Sequence, residues 1–138
     1  MTRLYVDTSA YLCVLLGESG AKELVDRFAN AYLHSSVLLV LEARRNLVRL
    51  ARVGQLPQSR LQQYLARVQQ DSERFQLMDL TQELCTDPTI PAVTTPRSLD
   101  LAHLRTALWF HRRKPLHGYV TLDVGQRLSA QELGLPVN

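Results

Sequence analysis

Residues 3–9 read RLYVDTS, a run of strand-forming residues that meets an acid and then two good helix-capping residues. The branched and aromatic side chains of residues 3–6 predict a short buried strand. Thr8 and Ser9 predict that a helix begins directly after it. Asp7 therefore stands at the junction, where a carboxylate beside an apolar strand needs a hydrogen-bonded or cationic partner.

Predicted strands and helices alternate along the rest of the chain. This alternation predicts an α/β fold with a central, mostly parallel sheet of four to five strands between helical layers, a three-layer α/β/α arrangement. The 138 residues show no internal repeat, so we expect a single domain over residues 1–138. Predicted strands cover 3–6, 32–36, 75–80, 119–122 and an edge strand at 136–138. Predicted helices cover 8–16, 37–53, 99–113 and 124–133, with two more starting near Ser19 and Leu56, and the Pro- and Thr-rich residues 86–97 predict a loop.

Four acids, Asp7, Glu42, Asp100 and Asp123, stand at strand ends or near helix starts in otherwise apolar sequence. Asp7 and Asp123 follow predicted strands, and ligands of parallel sheets bind outside the carboxyl ends of the strands. Converging carboxylates would make an oxygen-rich site for Mg²⁺ or Mn²⁺. Such a site suits hydrolysis of a phosphodiester by a metal-activated water. We expect Asp7, Asp100 and Asp123 to bind the metal, and Glu42 to bind it or position the water.

Each acid also has a simpler interpretation. Asp7 and Asp123 could only cap the helices that follow them. Glu42 could form an exposed pair with Arg45, one turn further along its helix. Asp100, in the first turn of a helix, could only complement the helix dipole.

Two neighbouring residues bear on these alternatives. Thr121 lies two residues before Asp123, so it is predicted to share a strand face with it and could hydrogen-bond a carboxylate. His103 lies one turn after Asp100 and is interpreted more simply as a core histidine than as its partner.

The composition favours a nucleic-acid partner in a reducing compartment. The net charge is +3, and two of the sixteen basic residues are lysines; the others are arginines, which bind phosphate better. A G+C-rich coding background gives the same bias. Arg45, Arg49 and Arg52 lie on one face of the helix that carries Glu42, either as an RNA-binding stripe or as a solvated face. Two cysteines without paired spacing, and no apolar stretch near the ~18 residues that cross a bilayer, predict a cytoplasmic protein with no membrane partner.

Four motifs occur in an order that identifies a known family by resemblance: YVDTSAYL (5–12), LEARR (41–45), SLDLAHLRTAL (98–108) and VTLD (120–123), followed by LGLPV (133–137). The chain resembles the PIN-domain nucleases and, among these, the VapC-type toxins of toxin–antitoxin pairs. The resemblance implies that Asp7, Glu42, Asp100 and Asp123 form an acidic metal pocket, with Thr8 and Thr121 as flanking hydroxyl residues. It also implies an Mg²⁺- or Mn²⁺-dependent ribonuclease that forms a homodimer and is inhibited by a cognate antitoxin.

Two departures and two rival functions stay open. Gln126 and Arg127 stand where some relatives place a further acid, which leaves the number of metal ions open. The Pro- and Thr-rich segment before Asp100 replaces a helix that relatives often continue. One rival is a catalytically silent PIN-like module that acts by binding RNA or protein. The other is a phosphatase or receiver-like domain phosphorylated on Asp7, which the absence of a second acid at position 9 disfavours.

Overall fold

The computed structural model describes residues 1–95 and 97–137, and strands and helices alternate along them as the sequence predicts. The elements are β1 (Thr2–Val6), α1 (Thr8–Leu16), α2 (Ala21–Ala29), β2 (Ala31–Ser36), α3 (Leu38–Arg52), α4 (Gln58–Ser72), β3 (Phe75–Met78), α5 (Gln82–Thr86), α6 (Ser98–Arg113), β4 (Gly118–Val120) and α7 (Val124–Glu132).

The four strands form one parallel sheet in the order β3-β2-β1-β4. The chain moves outward from β1 to β2 and β3, then returns across the sheet through α6 to place β4 on the other side of β1. The direction of winding therefore reverses between β1 and β4. In parallel sheets this point opens a crevice at the carboxyl ends of the two strands.

The sheet is buried on both faces, as strands between two helical layers must be. Leu4 and Val6 of β1 pack into one core cluster with α1, α2, α3 and α4. Tyr5, whose side chain points to the opposite face, packs with Tyr119 of β4 and with α6 and α7 in a second cluster. The predicted three-layer α/β/α architecture is confirmed.

Some predicted helix boundaries agree with the structure and others do not. α1 ends at Gly17 in the left-handed conformation (φ 67°), which favours glycine because it has no Cβ. The predicted Ser19 cap of α2 is wrong, because Gly20 is the N-cap there and α2 has no side-chain cap. The short helix α5 was missed; the Thr81 hydroxyl caps it by accepting from the N–H of Leu84 at 3.1 Å.

The remaining differences concern the sheet edge and the loop. The predicted edge strand at 136–138 is a single parallel bridge between Tyr119 and Val137 in the described residues, and Asn138 lies outside them. The predicted loop over 86–97 holds for residues 87–95, since α5 extends to Thr86; Pro96 lies outside the described residues. None of the described helices combines the length and the apolar character needed to cross a membrane.

The two core clusters predict how single truncations affect stability. Leu47 of α3 and Leu104 of α6 are both 0% exposed, one in each cluster. Leu47→Ala and Leu104→Ala should each lower the free energy of unfolding by about 2–5 kcal/mol in urea titrations, because each leaves a cavity. Leu41→Ala is the matched control on α3: its side chain is 65% exposed, so the change should stay within about 0.5 kcal/mol. A small loss at Leu104 would show that the second layer is not packed as described.

Candidate active site

Asp7 and Asp123 stand on either side of the point where the winding of the sheet reverses. Asp7 follows β1 directly, and its backbone N–H donates to the carbonyl of Val120 at the end of β4 (3.1 Å). Each acid caps a helix: one oxygen of Asp7 accepts from the N–H of Ala10, and one oxygen of Asp123 accepts from the N–H of Gln126, both at 3.0 Å. Both acids therefore cap the helices that follow them, and capping occupies one oxygen of each.

Thr121 joins the two aspartates. Its hydroxyl donates to the second oxygen of Asp7 at 2.7 Å and accepts from the N–H of Asp123 at 3.1 Å. The predicted hydrogen bond from Thr121 to a carboxylate is therefore present. Ser9 adds another link, because its hydroxyl donates to Asp7 at 2.8 Å and accepts from the N–H of Leu122 at 3.0 Å. Asp7 is surrounded by donors from both sides of the crevice.

Glu42 lies on α3 and is held from two other elements. One of its oxygens, Oε1, accepts from the Thr8 hydroxyl at 2.8 Å and lies 2.7 Å from Nε2 of His103. In the described residues these contacts, rather than the predicted pair with Arg45, hold the carboxylate. The sequence position of Thr8 suggested that it caps α1. The N-cap is Asp7 instead, and Thr8 is the first residue of the helix.

His103 is a buried core histidine that contacts Glu42 rather than Asp100. Its Nδ1 lies 2.7 Å from the hydroxyl of Tyr5, which is fully buried. When Nε2 carries the proton and donates to Glu42, Nδ1 accepts from Tyr5, so both ring nitrogens are satisfied. Tyr5 in turn stacks on Tyr119 with the ring centroids 5.2 Å apart.

Asp100 lies in the first turn of α6 and faces Asp123 across an arginine. Nε of Arg97 lies 2.7 Å from Oδ2 of Asp100, and Nη2 lies 2.6 Å from Oδ2 of Asp123. The Arg97 side chain is 65% exposed, against 16% for Asp100 and 31% for Asp123.

Shared partners therefore connect the four predicted acids at one edge of the sheet. Thr121 joins Asp7 to Asp123, and Arg97 joins Asp123 to Asp100. Glu42 is joined to the same edge through Thr8, the neighbour of Asp7 in the chain.

This edge of the sheet carries carboxylate oxygens, which suit a hard cation, but the side chains do not form a complete coordination site. No group of three or more His, Cys, Asp and Glu side chains in residues 1–95 and 97–137 is disposed to hold a metal ion. The acids offer carboxylate oxygens, which Mg²⁺ and Mn²⁺ prefer. The Arg97 guanidinium supplies a positive charge between Asp100 and Asp123, where a bound metal ion would otherwise supply it. The donor atoms are therefore of the type that such an ion binds, although their present arrangement does not enclose one.

Burial and donors act in opposite directions on the two inner acids. Burial raises the pKa of Asp7 above its ordinary value, although hydrogen bonds from Thr121, Ala10 and Ser9 oppose the shift. Burial also acts to raise the pKa of Glu42, but the hydrogen bonds from His103 and from the Thr8 hydroxyl outweigh it, so the pKa is lowered.

Gln126 and Ser9 are structural members of the edge that the sequence did not reveal as such. Gln126 is 2% exposed, and its side-chain amide donates to the Tyr119 hydroxyl at 2.6 Å. Ser9 was interpreted as a capping residue, and Gln126 only as a departure from the family motif. No sequence pattern indicated a role for Arg97.

The three predicted RNA-binding arginines lie on α3 beyond Glu42. Arg45, Arg49 and Arg52 are all exposed, and Arg49 also donates to the Asn46 side chain at 3.2 Å. At 1.5 Å per residue, the stripe extends about 15 Å from Glu42 along the helix.

Comparison with known proteins adds no relative. No protein-family model matches this chain, and no curated protein matches it. The PIN-domain resemblance therefore stays a prediction that rests on the sequence motifs.

Asp7→Asn tests whether the buried charge of Asp7 destabilises the native state. Because burial raises the pKa of Asp7, the native state disfavours the ionised form, so wild-type stability falls as the pH rises from the ordinary Asp range through the raised pKa. With chelator present, we expect the variant to melt about 2–5 °C higher than the wild type at pH 7. The difference should shrink as the pH falls toward about 4, where the wild-type carboxyl also becomes neutral.

Thermal melts followed by circular dichroism across that pH range measure this difference. Asp26→Asn, which removes an exposed charge from α2, is the control and should show no such trend. A variant less stable than the wild type at pH 7 would show that the surrounding donors outweigh burial.

Proposed function

We propose that this protein is a divalent-metal-dependent endoribonuclease of the PIN-domain type that cleaves RNA phosphodiester bonds. The observation that carries the proposal is the connection of Asp7, Asp100 and Asp123 at the crevice between β1 and β4, through Thr121 and Arg97. Acids from three separate elements meet where an α/β sheet binds its ligand.

Asp7, Asp100 and Asp123 would hold Mg²⁺ or Mn²⁺, directly or through water. A bound ion of this kind makes a water more acidic and neutralises charge on a phosphate. Thr121 and Ser9 fix the Asp7 carboxylate by donating to both of its oxygens. This leaves Asp7 oriented toward the crevice without rearrangement of the sheet.

Glu42 would orient the attacking water. With its pKa lowered, the carboxylate is ionised at neutral pH and can accept a hydrogen bond from that water. Thr8 and His103 hold Oε1, and Tyr5 holds His103 from behind. The supporting residues are buried, so the orientation of Glu42 is set by packing.

RNA would approach along α3, where Arg45, Arg49 and Arg52 form an exposed basic stripe beyond Glu42. By its resemblance to VapC-type toxins, the protein would act in the cytoplasm as a homodimer and be inhibited by a cognate antitoxin.

A second candidate is a catalytically silent PIN-like module that binds RNA or protein. It is favoured by Arg97, which forms ion pairs with both Asp100 and Asp123, and by the lack of a metal-binding cluster of side chains in the described residues. Metal-dependent cleavage separates the two candidates.

We expect cleavage of a mixed pool of labelled RNA in Mg²⁺ or Mn²⁺ and none in chelator. Asp7→Asn should lower the rate at least about a hundredfold, because it removes a charged oxygen from the proposed metal site. Asp26→Asn, the matched substitution of an exposed acid on α2, should leave the rate unchanged. Gel electrophoresis of the RNA measures the rate. Cleavage that persists in chelator and in Asp7→Asn would exclude the metal mechanism.

The basic stripe makes a separate prediction about RNA binding, measured in the Asp7→Asn background to prevent cleavage. Arg45→Gln, Arg49→Gln and Arg52→Gln should each reduce the slope of log affinity against log salt by about 0.7, the value for one lost phosphate contact on a single strand. Fluorescence anisotropy at several salt concentrations gives the slope.

Arg74→Gln is the matched control for the stripe. Arg74 is exposed and directly precedes β3, so it lies at the amino end of the sheet, opposite the acidic edge. If Arg74→Gln changes the slope as much as the stripe variants do, RNA does not bind preferentially along α3.

A further inference from the structure

Arg97 has an unusual position for an exposed side chain. Its guanidinium lies between Asp100 and Asp123, with N–O distances of 2.7 and 2.6 Å. The two acids belong to different elements, the first turn of α6 and the N-terminal cap of α7. One flexible cation therefore holds together two of the three carboxylates proposed to bind a metal.

The backbone of Arg97 is anchored in the helix, while its side chain is largely exposed to solvent. Its carbonyl accepts from the N–H of Leu101 at 3.1 Å, which anchors it as the N-cap of α6. The side chain is 65% exposed. Exposed ion pairs are weak and cost little to break. The guanidinium can therefore leave the acids without unfolding the helix.

The other two acids are held differently. Asp7 accepts hydrogen bonds from Thr121, Ser9 and Ala10, and Glu42 from Thr8 and His103. These partners are neutral or buried parts of the core. Of the four acids, Asp100 and Asp123 are the two paired with an exposed, charged side chain.

We propose that Arg97 is a tethered counter-cation that competes with a divalent metal ion for the carboxylates of Asp100 and Asp123. This inference rests on the proposed metal-dependent function. It adds that, at low metal concentration, Asp100 and Asp123 stay paired with Arg97. Mg²⁺ or Mn²⁺ binds these two carboxylates when it displaces the guanidinium. Arg97 thus sets the metal affinity of the site without touching the reacting atoms.

The test is the affinity for Mn²⁺ alone, measured on the full chain by the loss of the free-ion signal in electron paramagnetic resonance. Arg97→Gln keeps a polar side chain but removes the charge. It should bind Mn²⁺ about tenfold more tightly than the wild type, the size expected when two exposed ion pairs no longer compete. Arg97→Lys keeps the charge but cannot contact both acids at once, so its affinity should lie between the two.

Arg44→Gln is the matched control, since Arg44 is also exposed and its loss changes the net charge equally. Its Mn²⁺ affinity should equal that of the wild type. Thermal melts supply a second readout: in chelator Arg97→Gln should melt below the wild type, and saturating Mn²⁺ should raise its melting temperature more than that of the wild type.

The outcomes separate this inference from the proposed function. Equal Mn²⁺ binding by wild type and Arg97→Gln, weaker binding by Arg97→Gln, or an equal gain in Arg44→Gln would overturn the role of Arg97 and leave the nuclease proposal in place. No Mn²⁺ binding by either the wild type or Arg97→Gln would overturn both.

Discussion

The buried carboxylate of Asp7 is the group on which the rest of this edge depends. A charge that is 2% exposed is tolerated only when donors surround it. The donors come from α1 and from the segment after β4, so they meet at Asp7 only because β4 lies beside β1 in the sheet. The return of the chain across the sheet therefore brings these donors together around Asp7, the residue whose burial is most costly.

The four acids divide into two pairs with different physical roles. Asp7 and Glu42 are fixed by hydrogen bonds from the core, so their oxygens keep their positions whether or not a ligand is present. Asp100 and Asp123 are instead paired with the side chain of Arg97, which is largely exposed. Two carboxylates held by hydrogen bonds beside two carboxylates held by an exposed arginine would suit a site that binds a cation and presents it to a substrate.

The fold and the position of two acids could be predicted because they depend on local pattern. β1 ends directly before Asp7 and β4 ends three residues before Asp123, and parallel strands bring such ends to one edge. The partners of Glu42 could not be predicted, because Thr8 and His103 lie 34 and 61 residues away in the chain. Arg97 lay beyond prediction for another reason. It belongs to a segment without helical or strand periodicity, and only the docking of α6 beside α7 brings it between two acids.

The most direct test of the account is a crystal structure of the full chain soaked in Mn²⁺, with anomalous data to locate the metal. We expect an anomalous peak in contact with Asp7, Asp100 and Asp123, directly or through one water, and the Arg97 side chain turned away from both aspartates. Crystals at saturating Mn²⁺ in which Arg97 still bridges Asp100 and Asp123, with no metal at that edge of the sheet, would contradict the proposed metal site.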